Sequence, residues 1–132
     1  MIQRQDIIVV SVAVVAIGAS LLAQASNRTQ VSEADYACAT LGATYNVALR
    51  DGRFLPSAVA LKRCDRLLFT NQDARSYRLA VGKHESHIDY PGFYLSTLAP
   101  NKTQEFIGAK SGEYQIHDHL SDQDTLKLTI AN

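Results

Sequence analysis

The sequence lacks an excess of charge of either sign, because 13 basic residues balance 13 acidic residues over its 132 residues. Proteins that bind nucleic acid or an anionic membrane surface through charge carry a basic patch, and a neutral chain offers no such footprint. The sequence also lacks a glycine-rich phosphate loop and a G-x-S-x-G nucleophile elbow. These absences exclude nucleic acid as a predicted partner and leave no motif for phosphate or serine-hydrolase chemistry.

Histidine is scarce, with four residues in the chain, but the four form two tight pairs. His84 and His87 lie three residues apart in a loop-like stretch. His117 and His119 lie in Gly112–Leu120, where apolar and polar residues alternate as in a half-buried β-strand. Because side chains alternate along a strand, both histidines leave the same face. The spacing predicts a metal site built from all four imidazoles, and the alternative is ordinary hydrogen-bonded or solvated histidines.

The type of ligand narrows the choice of metal. Nitrogen ligands without sulfur favour Cu(II) in a tetragonal arrangement, and zinc is the runner-up because three or four histidines also satisfy it. Glu85, Asp89 and Asp118 are candidates for orienting an imidazole through its free N–H. In regular strand geometry Asp118 points away from the histidine face, so it would need a bulge to join them.

A run of 17 uncharged residues, Ile7–Ala23, stands near the N-terminus. It approaches the length that spans a bilayer, and we expect residues 1–25 to be a retained anchor that places the protein in the membrane. The alternative is a signal peptide cleaved after Ala23-Gln24-Ala25. Both interpretations predict export, with the rest of the chain in the periplasm or another extracytoplasmic space, or secreted if cleavage occurs.

Cysteine is also scarce, and both residues, Cys38 and Cys64, follow the apolar run. Export to an oxidising compartment favours a disulfide between them, and two buried thiols are the alternative. Residues 26–43 are polar and then alanine-rich, which indicates a short helix or an extended linker. A helix would begin near Ser32 and end at Gly42.

Residues 44–132 have the pattern of an all-β domain. Short apolar–polar alternations are separated by turn signals such as Asp51-Gly52 and Tyr90-Pro91-Gly92. The spacing of these strands, with no long helix between them, predicts a β-sandwich. The predicted strands are Thr44–Leu49, Ala58–Lys62, Arg66–Asn71, Tyr77–Val81, Thr103–Ile107, Glu113–His117 and Thr125–Ala131.

Three motifs in this domain resemble the cupredoxin family. They are F-T-N-Q-D at Phe69–Asp73, L-A-P-N at Leu98–Asn101 and G-E-Y at Gly112–Tyr114, in the family's order. The resemblance covers about Tyr45–Asn132 and implies a cupredoxin-like Greek-key β-sandwich. It is closest to a branch whose members carry H-x-x-H-x-x-Y-P-x-F and Y-H-D-H-L, which here are His84–Phe93 and Ile116–Leu120.

The departures from blue-copper cupredoxins bear on the chemistry. Those proteins use two histidines, a cysteine thiolate and a weak axial ligand. The resemblance places the cysteine position at Asp118, the downstream histidine at Ser121 and the upstream histidine at Tyr77. It therefore implies that the thiolate and its intense charge-transfer band are absent. In the similar branch the position of Tyr77 is also usually histidine, so a fifth possible ligand is lost or replaced by a phenol, and Tyr77 is a candidate neighbour of the site.

Three functions are compatible with these features. The first is an exported, membrane-anchored copper protein that handles copper or supports redox chemistry without catalysing a reaction. The second is a metal-free accessory subunit of a respiratory or photosynthetic membrane electron-transfer complex, whose other subunits would be its partners. The third is a small copper oxidoreductase, which would require an open coordination position.

Overall fold

Alternation of apolar and polar residues from Thr44 onward produces ten β-strands within residues 36–132, the part of the chain that this computed structural model describes. The strands are β1 (Thr44–Arg50), β2 (Arg53–Leu55), β3 (Ala58–Lys62), β4 (Arg66–Asn71), β5 (Tyr77–Lys83), β6 (Ser86–His87), β7 (Thr97–Leu98), β8 (Thr103–Ile107), β9 (Gly112–Asp118) and β10 (Ser121–Ala131).

The strands form two sheets that face each other. The first sheet has the order β2-β1-β4-β8, and the second has the order β3-β10-β9-β5-β6, with β7 paired to β5. Most neighbours are not consecutive in the chain, so the connections cross between the sheets as in Greek-key sandwiches. The β1–β4 and β3–β10 pairs are parallel, and the other pairs are antiparallel. The predicted all-β sandwich is confirmed.

The core lies between the two sheets and is formed by alternate residues of the long strands. Each such side chain, once buried, stabilises the fold by roughly 1.5–3 kcal/mol relative to an exposed position. The first sheet contributes Val47, Leu49, Leu67, Phe69 and Phe106, and the second contributes Leu79, Val81, Ile116, Leu126 and Leu128. All ten are at most 2% exposed.

The seven predicted strands are all present. The bounds of β3, β4 and β8 are as predicted, whereas β1, β5, β9 and β10 extend one to four residues further at one or both ends. The extensions arise from pairing with neighbouring strands, as where Gly82 and Lys83 pair with β6. The strands β2, β6 and β7 were not predicted, because two or three residues are too few to show a side-chain period.

The segment before β1 is tied to the sandwich. Cys38 and Cys64 form the predicted disulfide. The Gly42 N–H donates to the Cys64 carbonyl over 2.9 Å, and the Ala43 N–H donates to Asp65 Oδ1 over 2.8 Å. Residues 37–43 have no regular secondary structure. The predicted helix start at Ser32 lies outside the described residues.

The predicted membrane anchor, residues 1–25, likewise lies outside the described residues. Within residues 36–132, no helix has the length and apolar character needed to span a bilayer.

Buried Asn71 shapes the turn between β4 and β5. Its side-chain amide donates to the Arg75 carbonyl over 2.8 Å and to the Leu98 carbonyl over 3.0 Å. Its Oδ1 accepts from the Asp73 N–H over 2.9 Å. Because Asn71 is fully buried and all these groups are paired, the turn leading into β5 has a defined shape. This turn carries Asp73 and Arg75, which support the site described below.

Candidate metal centre

His117 is the most deeply buried of the four histidines, with no exposed surface. Its Nδ1 lies 2.7 Å from the Gly82 carbonyl oxygen. A carbonyl can only accept a hydrogen bond, so Nδ1 carries the proton and Nε2 of the neutral ring presents a lone pair. That Nε2 is buried and has no hydrogen-bond partner among the described residues. A buried polar atom without a partner is unfavourable, and a metal ion would satisfy it.

Gly82 brings the first histidine pair next to His117. Its φ is +99°, and a Cβ there would lie 2.5 Å from the Ser86 carbonyl oxygen. The pairing of Gly82 with His87 and of Lys83 with Ser86 makes a tight hairpin between β5 and β6. His84 therefore lies in the two-residue turn, and His87 lies on the return strand.

His119 follows the end of β9. Its backbone N–H donates to the Arg78 carbonyl over 2.7 Å, which attaches it to β5. Its ring is partly buried, and Nδ1 has no hydrogen-bond partner within the described chain. The centre therefore contains a second buried imidazole nitrogen that no described group satisfies.

The four rings form one cluster. His84, His117 and His119 each offer one ring nitrogen, and these three nitrogens lie within 4.8 Å of one another. A bound ion at about 2.0–2.1 Å from each nitrogen would hold them roughly 3–4 Å apart, and the upper limit of 4.8 Å is close to that separation. The His87 ring is outside this triple, but its centroid is 5.0 Å from that of His117 and 4.9 Å from that of His119.

The separations between ring centroids fall into two groups. Four of the six pairs lie 4.9–5.6 Å apart. The two remaining pairs, His84 with His87 and His117 with His119, lie 6.4 Å apart. Each sequence-adjacent pair thus occupies opposite sides of the cluster, and each histidine has its nearest neighbours in the other pair.

Loss of solvation and mutual proximity favour the neutral form of two of the rings, His87 and His119. Loss of solvation, followed by the neighbouring His117 and His84, lowers the pKa of His87 below its usual value. The pKa of His119 is also lowered, first by loss of solvation and then by His84 and His87. Neutral imidazoles keep the lone pairs that metal binding uses.

The four residues predicted to lie near the ligands are placed differently. Tyr77 is buried and its hydroxyl donates to the Asp73 carboxylate, while burial and this hydrogen bond raise the pKa of Tyr77 to about 12. Glu85 and Asp89 are exposed. Asp118 is buried and bonds to Arg75 and to backbone N–H groups. None of the four donates to or accepts from an imidazole among residues 36–132.

Two residues that shape the centre, Gly82 and Arg75, were not predicted from the sequence. Gly82 supplies the carbonyl that selects the His117 tautomer, and Arg75 neutralises the buried Asp118 carboxylate. A glycine two residues before His84 is a turn signal that could have identified the hairpin. No local pattern indicates the Arg75–Asp118 pair, which joins residues 43 positions apart.

Several solved structures are similar to this chain. A purple cupredoxin from Nitrosopumilus maritimus has 13% sequence identity and a TM-score of 0.57, covering 65% of this chain and 98% of its own. Amicyanin from Paracoccus versutus has 13% identity and a TM-score of 0.57, covering 70% of this chain and 85% of its own. A copper-containing nitrite reductase from Thermus scotoductus has 14% identity and a TM-score of 0.58, covering 73% of this chain and 24% of its own.

These similarities show that residues 36–132 have a cupredoxin-like fold. No protein-family model and no curated protein matches the sequence. Both cysteines of the chain are joined to each other, so neither offers a thiolate to the histidine cluster. The donors that the cluster offers are therefore imidazole nitrogens without sulfur.

Proposed function

We propose that this protein binds one copper ion through His84, His87, His117 and His119. The observation that carries the proposal is the buried Nε2 of His117, which has no partner in the described chain and belongs to a ring surrounded by three other imidazoles. The Gly82 carbonyl holds the proton on Nδ1, which is the tautomer that a metal ligand at Nε2 requires.

The ring separations support copper over zinc. In a regular tetrahedral set all six separations are equal, whereas in a square-planar set the two opposite pairs are about 1.4 times further apart than the adjacent pairs. Here the opposite pairs, at 6.4 Å, are about 1.25 times further apart than the others, at 4.9–5.6 Å. This flattened arrangement suits Cu(II), and it makes His84 opposite His87 and His117 opposite His119.

The donor set also determines the role. A centre without a cysteine thiolate has no blue-copper charge transfer, so we assign copper handling or redox support rather than fast blue-copper electron transfer. Four imidazoles would suffice to hold Cu(II) in a tetragonal arrangement, and no motif for substrate chemistry accompanies them, so copper handling is favoured over a copper oxidoreductase.

The proposed location is outside the cytoplasm, with residues 1–25 retained as a membrane anchor. The disulfide between Cys38 and Cys64 supports an oxidising compartment, because such bonds persist in exported proteins. The uncharged run Ile7–Ala23 supports the anchor, because it is apolar and its 17 residues approach the length that spans a bilayer.

The test is Cu(II) titration of the full-length protein purified in detergent, followed by electron paramagnetic resonance and elemental analysis. We expect one copper per chain, a spectrum of nitrogen ligands and no intense visible thiolate band. Zinc added in competition should displace copper poorly. His84→Ala and His117→Ala should each weaken binding, while Ser86→Ala, an exposed position in the same hairpin, should leave it unchanged.

The result that would overturn the proposal is the absence of copper binding at micromolar concentration by a folded protein. Purification together with large haem- or pigment-bearing subunits, without copper, would instead support the second function. The protein would then be a metal-free accessory subunit of a respiratory or photosynthetic membrane complex.

A further inference from the structure

The carboxylate of Asp118 lies in the middle of the second histidine pair but does not face the imidazoles. It is 2% exposed, and all its hydrogen bonds go elsewhere. Oδ1 accepts from the backbone N–H of Arg78 over 2.9 Å and from that of Leu120 over 3.2 Å. Oδ2 accepts from Nη1 of Arg75 over 2.7 Å.

These bonds attach the backbone on both sides of His119 to β5. The His119 N–H itself donates to the Arg78 carbonyl over 2.7 Å. On the β10 side the ladder is interrupted, because the register shifts between Ser121 and Thr125. The Asp118 carboxylate therefore adds hydrogen bonds to β5 at the end of β9, beside this shift in register and directly before His119.

Arg75 keeps this carboxylate in place. A buried charge is tolerated only when it is paired, and Arg75 is the cation that pairs with Asp118. The Arg75 guanidinium lies 3.8 Å from the centre of the Tyr77 ring, and Tyr77 in turn donates to Asp73. Asp73 also accepts from the backbone N–H of Gly52 over 3.1 Å. The Arg75 guanidinium thus packs against the face of the Tyr77 ring, which holds it beside Asp118.

We propose that Asp118, held by Arg75, is a positioning residue for the copper centre and acts through His119. This inference rests on the proposed function, because it concerns how one of the four ligands is held. Without the carboxylate, the backbone next to His119 loses its bonds to the Arg78 N–H and to Arg75, and only the bond from the His119 N–H to the Arg78 carbonyl remains. The centre would then retain three well-placed imidazoles and one loosely placed imidazole.

The test is a double-mutant cycle on the full-length protein, measured as the Cu(II) dissociation constant by chelator competition and as the paramagnetic resonance spectrum. Asp118→Asn should weaken binding about 10- to 100-fold, the usual range when a residue that orients a metal ligand is lost, and should alter the nitrogen splitting. Asp118→Asn combined with His119→Ala should bind no more weakly than His119→Ala alone, because the lost residue acts through that ligand.

A second variant covers the case in which Asp118→Asn does not fold. The Arg75 side chain is 40% exposed, so Arg75→Gln is the variant to use. It should weaken copper binding as Asp118→Asn does, and it should not weaken binding further when His119 is already alanine. The matched control is Arg66→Gln, which removes an arginine from the exposed pair with Glu105 on the other sheet and should not alter copper binding.

The outcomes separate the two proposals. An effect of Asp118→Asn or Arg75→Gln that persists in full beside His119→Ala would overturn the positioning role and leave the copper site intact. Unchanged copper affinity and an unchanged paramagnetic resonance spectrum in both Asp118→Asn and Arg75→Gln would also overturn the positioning role. Failure of the wild-type protein to bind copper would overturn the proposed function and this inference with it.

Discussion

Replacing Gly82 by alanine tests the close approach that places the hairpin against His117. The φ of +99° is unfavourable for any residue with a Cβ. In addition, the new Cβ would lie 2.5 Å from the Ser86 carbonyl oxygen and 3.0 Å from the Ile88 nitrogen, both of which are backbone atoms. The hairpin would have to open, because backbone cannot yield as a flexible side chain does.

The free energy of unfolding that Gly82→Ala is expected to lose has two parts. The left-handed conformation costs about 1–2 kcal/mol for a residue with a Cβ. Displacing packed backbone adds about 1–3 kcal/mol, the usual range for overpacking. Gly92→Ala isolates the first part, since Gly92 has a φ of +81° but a Cβ there would meet nothing within 4 Å. The difference between the two variants therefore measures the close approach.

The assay is urea denaturation of the metal-free protein, with copper affinity measured on the same samples. We expect Gly82→Ala to be less stable than Gly92→Ala and to bind copper at least tenfold more weakly, because the Gly82 carbonyl that orients His117 moves. Equal stability and equal copper affinity in the two alanine variants would refute the reasoning.

Three further predictions concern the metal-free fold. Reducing the disulfide, which joins cysteines 26 residues apart, should lower the free energy of unfolding by about 2–4 kcal/mol, and an unchanged denaturation midpoint would contradict this. The pKa values of His87 and His119 are lowered in the folded protein, so as the pH falls the unfolded chain takes up protons before the folded one does. The free energy of unfolding should therefore be full above pH 6.5 and should fall as the pH drops below it. A melting temperature that does not change between pH 7.5 and 5 would contradict this. Tyr77→Phe should cost about 1 kcal/mol and raise the pKa of Asp73, because the Tyr77 hydrogen bond is the largest cause of its lowering; an NMR titration would show no change if that bond were unimportant.

The strands were predictable because a side-chain period of two is a local property of the chain. Seven segments with this period became strands, and three of them have the predicted bounds. The short strands were not predictable, since β6 exists only through its pairing with Gly82 and Lys83. The irregular path of residues 37–43 was not predictable either, because it is held by the disulfide and by bonds to Cys64 and Asp65, which are distant in sequence.

The spacing of the histidines indicated which residues to consider, but not how they meet. His117 and His119 were expected on one strand face, and the structure places their rings 6.4 Å apart, on opposite sides of the cluster. The role suggested for Asp118, orienting an imidazole directly, has no counterpart among its hydrogen bonds, which go to Arg75 and two backbone N–H groups. The metal itself, the membrane anchor and the partners remain predictions.

By itself, the sequence determined the β pattern, the two cysteines that can pair, the neutral charge and two histidine pairs with the spacing of metal ligands. Only the tertiary structure decided that a hairpin turn and a strand end come together, and that the Gly82 carbonyl selects the tautomer of His117 across 35 residues of chain. The physical reason is that side-chain periodicity depends on neighbours in sequence, whereas the contacts of this centre depend on the order of strands in a sheet.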